Sequence, residues 1–326
     1  MQFSRLLLLV ASAATTLAMT INLDLDLSAV SHGLQHEKQP AAPLKISHVP
    51  GYFRQDDAAT DDKKFDYIAE NFGLVAKSWT DLEEQIEQLN HKSGEDVSYR
   101  VLYLARHGQG WHNVAESYYG TPAWDAYWSK LDGNGTITWN DAKLTDQGVV
   151  EAQKANAAFK KGIKEHMPKP EGYYTSPLSR AASTLDITWS DISLNQRNTP
   201  KAVIKEGLRE TIGVHTCDRR DTKTYLKKTY SKFVTEKGFA EKDPLWTADV
   251  RESNPDRNIR LQAALQDIFR SDGSTYISIT AHGGAIQSIL EVIGHRAFSL
   301  QTGGVIPVVV KVEGEQWQNL ELFRHW

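Results

Sequence analysis

Arginine and histidine side chains follow two apolar runs of the sequence. Arg106 and His107 come directly after the run at 101–105, and His282 comes shortly after the run at 276–280. A neutral imidazole nitrogen is a good nucleophile that can carry phosphate covalently. A guanidinium group grips phosphate oxygens through paired, charge-assisted hydrogen bonds. These residue types at these places point to phosphoryl transfer.

Further charged residues follow two other apolar segments. Arg180 comes after the segment 172–176, and Glu210 comes after the segment 202–204. A carboxylic acid that is held protonated can give its proton to a leaving oxygen, and a second histidine, if cationic, adds positive charge beside the phosphate. Glu206 competes with Glu210 as the acid, because an exposed carboxylate is the ordinary state of either residue.

Strand and helix patterns alternate around these residues. Short apolar runs predict strands at 101–105, 172–176, 202–204, 276–280 and 305–310. Apolar residues at helical spacing predict helices at 81–90, 145–159, 178–189, 259–269 and 286–293, the first of them opened by a capping box at 80–83. This alternation is typical of an α/β fold, a three-layer sandwich with a mostly parallel central sheet covered by helices. The polar loops after the strands are then expected to meet at one edge of the sheet, where such folds bind ligands.

An aromatic-rich stretch lies between residues 111 and 139. Its members include Trp111, Trp124, Trp128 and Trp139. We interpret most of this stretch as a long loop held in place by its own aromatic side chains. The alternative, a wall of the substrate pocket, stays open for Trp111.

Five blocks of sequence stand in one order along the chain. They are Leu104-Ala105-Arg106-His107-Gly108 with His112-Asn113, Leu144-Thr145-Asp146-Gln147-Gly148, Ser176-Pro177-Leu178-Ser179-Arg180, Leu208-Arg209-Glu210 and Ala281-His282-Gly283-Gly284. Together they resemble the signature of the histidine phosphatase superfamily, in its phosphoglycerate-mutase-like branch. The resemblance covers roughly residues 97–312, and the segments 108–113 and 216–220 look most like fungal phosphomutase-like proteins.

The resemblance implies a role for each matched residue. His107 would be the nucleophile that becomes phosphohistidine, and Glu210 would be the proton donor. His282 would be the second catalytic histidine of the phosphate pocket. The other phosphate-binding residues would be Arg106, Asn113 and Arg180, and the candidates for the surrounding pocket are His112, Arg219 and Arg220. The implied reaction needs no metal or other cofactor, and its substrate is a small phosphorylated molecule.

Four functions follow from this set of residues. The favoured one is a phosphatase that hydrolyses phosphomonoesters, and a phosphoglycerate-type phosphomutase is the alternative within the same chemistry. A metal-dependent hydrolase built on His107, His112 and His282 is a third reading, although the chain lacks a His-Glu-x-x-His spacing. A protein that binds phosphate without catalysis is the fourth. Phosphate release that survives a chelator separates the first reading from the third.

Composition excludes several broad classes of protein. The chain has 326 residues, a net charge of -4 and a single cysteine, Cys217. The charge gives no electrostatic reason to expect nucleic acid as a partner. One cysteine excludes a fold held by intramolecular disulfides and a cysteine-rich zinc site. No run of about 20 apolar residues suggests a membrane span. The sequence does not determine the oligomeric state.

The N-terminal segment has the pattern of a secretory signal peptide. A short basic start at Arg5 is followed by the apolar run 6–10 and by small residues up to Ala18. We therefore expect a signal peptide at 1–18, an N-terminal extension that packs on the core at 19–95 and a histidine phosphatase domain at 96–326. The expected location is extracellular; an uncleaved, cytoplasmic protein is the alternative. A glycosylation sequon at Asn134 would be usable only in a secreted chain.

Overall fold

The computed structural model describes residues 42–194, 196 and 199–315. The predicted signal peptide at 1–18 and the first part of the predicted extension, up to residue 41, lie outside the described residues. No helix in the described ranges is long and apolar enough to cross a membrane.

A mixed sheet of seven strands organises the described residues. In chain order the strands are β1 (Lys45–His48), β2 (Val97–Arg106), β3 (Gly172–Thr175), β4 (Val203–Ile204), β5 (Val234–Thr235), β6 (Tyr276–Ala281) and β7 (Val305–Glu313). Their order across the sheet is β1-β7-β2-β6-β3-β4-β5. Only β7 runs against its neighbours β1 and β2, so the expected mostly parallel sheet is confirmed. The edge strands β1 and β5 were not predicted, because runs of four and two residues are too short to show a period.

Eight α-helices lie among the strands in the described ranges. They are α1 (Trp79–Lys92), α2 (Trp111–Tyr119), α3 (Thr121–Ala126), α4 (Asp146–Lys164), α5 (Ser179–Trp189), α6 (Lys223–Thr229), α7 (Asn254–Ser271) and α8 (Gly283–Val292). Helix α1 begins earlier than the predicted capping box at 80–83. The hydroxyl of Ser78 caps it instead, accepting the N–H of Asp81 at 3.0 Å, and this start lets Trp79 pack into the core.

Alternating side chains of β2 divide the hydrophobic core into two layers. Val101 and Tyr103 pack on one face of the sheet, in a cluster with residues of α1, α4 and α5. Leu102 and Leu104 pack on the other face, in a cluster with residues of α7 and α8. A strand that is apolar on both faces is buried on both faces, so helices must cover each side. The expected three-layer arrangement is thus present.

The register of three parallel strands decides where the polar loops lie. Arg106 of β2 pairs with Ala281 of β6, and Thr280 of β6 pairs with Thr175 of β3. Because these strands run in the same direction, the chain leaves all of them at one edge of the sheet. The residues that follow each strand therefore come together there.

The aromatic stretch 111–139 packs largely on itself, as predicted, but it is not a long loop. It folds into α2, α3 and a 3₁₀ turn at Trp128–Lys130. Trp124 and Trp139 form a small buried cluster, and Trp128 stacks on Tyr119 with ring centroids 4.0 Å apart. Trp111 is half-buried at the start of α2. The helices α2 and α3 were not predicted, because closely spaced aromatic residues hide the helical spacing of so short a segment.

Candidate active site

Three histidines meet at the carboxyl edge of the sheet. His107 follows β2, His282 follows β6, and His112 lies in the first turn of α2. The His107 ring centroid is 5.0 Å from that of His282 and 5.4 Å from that of His112. All three side chains are buried. The structure thus brings together residues that are up to 175 positions apart, since 282 - 107 = 175.

The two ring nitrogens of His107 have different partners. Nδ1 lies 2.7 Å from the carbonyl oxygen of Gly108, and Nε2 lies 3.3 Å from Nε of Arg180. A carbonyl only accepts, so the ring proton belongs on Nδ1 and the lone pair of Nε2 faces the guanidinium. Burial, together with the positive charges of Arg180 and Arg106, holds the pKa of His107 well below its usual range. The ring is therefore neutral and can act as a nucleophile.

The surroundings of His282 favour its neutral form in the absence of a bound anion. Burial beside Arg180 lowers its pKa well below the ordinary value, and the same causes lower the pKa of His112. Nε2 of His282 lies 2.7 Å from Oγ of Ser176, the residue after β3. A phosphate dianion would offset the arginine charge and favour protonation of these rings.

Several buried nitrogens at this edge have no protein partner. Within the described ranges, no hydrogen bond reaches Nδ1 of His282, Nδ1 of His112 or Nε of Arg106. Nη1 of Arg106 donates to the carbonyl of Leu300 at 2.7 Å, which holds the guanidinium in place. Unpaired buried polar groups are costly unless a ligand completes them, and Nε of Arg106 can only donate. The positive charges of Arg106 and Arg180 make the site suit an anion better than a metal cation.

Arg180 is held by groups that sequence reasoning missed. Its Nη1 donates to the carbonyl of Cys217 at 2.6 Å, and its Nη2 donates to Oδ1 of Asp218 at 2.9 Å. Arg251 donates to the other oxygen of Asp218, also at 2.9 Å. Burial alone would raise the pKa of Asp218, but the two arginines bring it below its usual range. Asp218 lies inside the matched segment 216–220, whereas nothing in the sequence pointed to Arg251.

Glu210 lies beside the first turn of α8. Its Oε2 accepts the N–H of Gly284 at 2.9 Å, its Oε1 accepts the N–H of Thr211 at 2.9 Å, and its side chain keeps 20% of its surface exposed. The rival Glu206 is instead paired with Arg220 at 2.5 Å. Of the two carboxyl groups, only Glu210 is thus tied to the loop of His282.

The remaining predicted residues have partners of their own. Asn113 accepts the N–H of Gly110 at 3.0 Å, at the start of α2. Arg219 pairs with Asp132 at 2.7 Å, and Arg220 donates to Glu206 and to the carbonyls of Ala240 and Lys242. Within the described ranges, no hydrogen bond joins Arg219 or Arg220 to the three histidines.

Two glycines of the site lie in close contact with other protein groups. A Cβ on Gly284 would lie 2.3 Å from Oε1 of Glu210. A Cβ on Gly108 would lie 2.3 Å from the carbonyl oxygen of Gly148. Gly283 differs, because its Cβ would meet Arg106 at an ordinary distance of 3.5 Å. Gly284 thus lets Glu210 approach the backbone that follows His282.

Comparison with known proteins places the chain in a family. The family model of the histidine phosphatase superfamily, branch 1, matches residues 102–318. A protein of Arthroderma benhamiae described as a probable phosphoglycerate mutase is 50% identical over 285 residues, covering 83% of this chain and 85% of that protein. Phosphomutase-like protein 3 of Candida albicans is 37% identical over 271 residues, covering 82% of this chain and 81% of that protein.

A solved structure of a mycobacterial glucosyl-3-phosphoglycerate phosphatase aligns at 17% identity and a TM-score of 0.40, covering 67% of this chain and all of that chain. The family model matches more than half of the chain. The chain therefore belongs to the histidine phosphatase superfamily, and the resemblance found in its sequence is confirmed.

Proposed function

We propose that this protein is a phosphatase that hydrolyses small phosphomonoesters through a phosphohistidine on His107. The single observation that carries the proposal is the state of that ring. Its Nδ1 proton is held by the Gly108 carbonyl, while its unprotonated Nε2 faces Arg180 in a buried, positively charged pocket. The proposed nucleophile, Nε2 of His107, and the anion-binding guanidinium of Arg180 thus lie side by side, 3.3 Å apart.

In the first step, Nε2 of His107 attacks the phosphorus atom of the bound ester. The N–P bond forms as the bond from phosphorus to the leaving oxygen breaks, and Arg106 and Arg180 stabilise the charge on the other phosphate oxygens. Glu210, protonated before this step, gives its proton to the leaving oxygen, so that an alcohol departs. His282 adds a further hydrogen bond to the phosphate.

In the second step, the carboxylate of Glu210 removes a proton from water while the water oxygen attacks the phosphorus. The N–P bond breaks, inorganic phosphate leaves, and His107 and Glu210 return to their first states. The buried pair of Asp218 with Arg180 supports both steps, because it holds the guanidinium beside Nε2.

A phosphoglycerate mutase is the second candidate, favoured by the description of the relative from Arthroderma benhamiae. Such an enzyme would use the same first step. It would then return the phosphate to another oxygen of the substrate instead of passing it to water. The two functions therefore differ in whether inorganic phosphate is released.

The decisive experiment measures phosphate release from aryl, sugar and phosphoglycerate esters in the presence of a chelator. We expect release by the native protein and a loss of roughly 10³-fold or more in His107→Ala, since removal of a covalent nucleophile removes the reaction path. The circular dichroism spectrum of the variant should match that of the native protein. Isomerisation without release would favour the mutase, and release unchanged in the variant would refute the role of His107.

We also propose that the protein is secreted after cleavage at about residue 18. The apolar, small-residue pattern at 6–18 supports this location. Asn134 of the sequon is exposed, so a glycosyltransferase could reach it. N-terminal sequencing of protein from the culture medium tests the cleavage, and a mobility shift with a glycosidase tests the sequon. An intact Met1 on protein that stays inside the cell would refute the proposal.

A further inference from the structure

Two histidines and an aspartate form a second polar cluster, built from residues outside the candidate active site. His48 ends β1, Asp56 lies in the segment after it, and His295 follows α8. Nε2 of His48 lies 3.0 Å from Oδ1 of Asp56, and Nε2 of His295 lies 3.3 Å from the same oxygen. The three side chains are 8%, 6% and 0% exposed. We propose that these three residues bind one divalent transition-metal ion, zinc being the best fit.

The protonation of His295 provides the first argument. Its Nδ1 lies 2.6 Å from the carbonyl oxygen of Arg296, so the proton of the neutral ring belongs on Nδ1. Its Nε2 is buried and has no hydrogen-bond partner within the described ranges, although it points at the carboxylate of Asp56. Two acceptors that face each other in a buried place need either a proton or a metal cation between them, and the second histidine at the same oxygen favours the metal.

The distances among the ligand atoms fit a zinc ion. Zinc lies about 2.0–2.2 Å from histidine nitrogen and carboxylate oxygen, so two ligands of a tetrahedral site are about 3.3 Å apart. The two measured separations, 3.0 and 3.3 Å, are close to that value. All three ligand atoms lie within 4.8 Å of one another. Two histidines and one carboxylate leave a fourth position for water.

Backbone groups orient two of the three ligands. Oδ2 of Asp56 accepts the N–H groups of Gly51, Tyr52 and Phe53 at 2.8, 3.1 and 3.2 Å. This leaves Oδ1 for the ion. The bond from Nδ1 of His295 to a backbone carbonyl is the usual support of a metal-binding histidine, because it fixes the ring and makes Nε2 more basic.

A cavity of about 620 Å³ lies beside Asp56 of the cluster. Asp56 forms part of its wall. The other charged residues of that wall are Asp57, Asp61, Glu70, Arg54 and Lys64. Four acids, counting Asp56, thus face two bases, and the excess negative charge favours the approach of a cation.

A second group of suitable residues, His215, Cys217 and Asp218, serves as a contrast. Burial raises the pKa of the Cys217 thiol well above its ordinary value, so the thiolate that zinc prefers is disfavoured. Both oxygens of Asp218 already accept from arginines, namely Arg180 and Arg251. This group is therefore occupied by its own partners, whereas the His48 cluster has an orphaned nitrogen.

An ion at this cluster would join distant parts of the chain. It would link the end of β1 and the segment around Asp56 to the loop that follows α8. Such an ion stabilises the folded state, because the unfolded chain does not hold these ligands together. We therefore expect it to raise the melting temperature while leaving the chemistry at His107 unchanged.

Equilibrium dialysis of the full chain against zinc, followed by elemental analysis, tests the proposal. The native protein is first stripped with a chelator and then dialysed against zinc. We expect it to take up one zinc ion per chain and to melt several degrees higher than the stripped protein. His295→Gln and His48→Gln should each weaken binding roughly 100-fold or more. The matched controls are His91→Gln, an exposed histidine of α1, and His215→Gln, and both should bind zinc like the native protein.

A second readout covers the case in which the variants fold poorly. Cobalt(II) added to the native protein should give visible absorption bands of a low-coordinate nitrogen and oxygen site, and zinc should displace them. The absence of these bands together with no zinc uptake would overturn the proposal and would leave a protonated His295 as the partner of Asp56. Zinc loss in His215→Gln but not in His295→Gln would overturn it as well.

Discussion

At the residue scale, protonation in the candidate active site follows from burial beside arginine. His107, His112 and His282 are each desolvated and each lie near Arg180, and for all three the pKa is lowered. The hydrogen-bond partners of the three rings differ, however. Of the three, only His107 has its Nδ1 beside a carbonyl while its Nε2 faces a guanidinium, which is the state that the proposed nucleophile needs.

The substitution Glu210→Gln tests the proton donor. Glutamine keeps the size of the side chain but cannot give a proton to the leaving oxygen. We expect kcat/KM to fall about 10²–10³-fold for alkyl phosphates, whose leaving groups are basic, and less than about 10-fold for a nitrophenyl phosphate. Steady-state phosphate release for the two ester classes is the measurement. An equal loss for both classes would contradict the role.

Glu206→Gln is the matched control for this test. Its carboxyl lies in ion pairs with Arg220 and Arg209 rather than beside the loop of His282. We expect this variant to lower stability without changing the dependence of kcat/KM on the leaving group.

The substitution Asp218→Asn tests how Arg180 is held in place. Asparagine keeps the shape but removes the charge that pairs with the buried Arg180 and the partly exposed Arg251. We expect the free energy of unfolding to fall by about 3 kcal/mol, and kcat/KM to fall by about 10²-fold because the guanidinium is less well placed. Denaturant unfolding and kinetics well below the melting temperature measure the two effects. Unchanged kcat/KM would show that Asp218 serves stability alone.

At the element scale, three parallel strands and one helix assemble the site. The register of β2, β6 and β3 brings His107, His282 and Ser176 to one edge of the sheet. Helix α8 begins directly after His282, and Glu210 accepts from its first turn. Local patterns predicted these strands, because each is an apolar run that ends in a polar loop. They did not predict β5, whose two residues pair with β4 only through the fold.

The substitution Gly284→Ala tests the contact between α8 and Glu210. The added Cβ would lie 2.3 Å from Oε1 of Glu210 and 2.8 Å from Nη1 of Arg257. Glu210 must then move, at little cost in stability, because the atoms that the Cβ meets are the ends of flexible side chains. We expect the same dependence on the leaving group as in Glu210→Gln. Gly94→Ala, where a Cβ meets nothing within 4 Å, is the control and should behave like the native protein.

At the scale of the whole molecule, the buried histidines couple stability to pH. A histidine titrates near pH 6.5 in the unfolded chain, whereas the folded protein keeps His107, His112 and His282 neutral to lower pH. Below about pH 6.5 the unfolded state thus binds more protons than the folded state. Stability is therefore complete above that value and is lost progressively as the pH falls.

Thermal melts between pH 5 and pH 7.5 test this dependence. Asp218, whose pKa is lowered, loses its contribution only at lower pH, where carboxylates protonate, so the histidines dominate this window. We expect the melting temperature of the native protein to fall between pH 7 and pH 5, and to fall less in His282→Asn. A native melting temperature that does not change across this window would contradict the assignment of neutral histidines.

The sequence by itself determined the α/β class and the family, together with the residues of the proposed reaction. This was possible because periodicity and motif blocks are local: Arg106 and His107 stand side by side, and Glu210 ends a block of three residues. Tertiary structure alone decided that Arg251 and Asp218 hold Arg180, and that His48, Asp56 and His295 converge. Contacts between residues distant in sequence depend on how the helices and strands pack. Before the packing is known, a charged residue that will have a buried partner looks the same in the sequence as an ordinary surface charge.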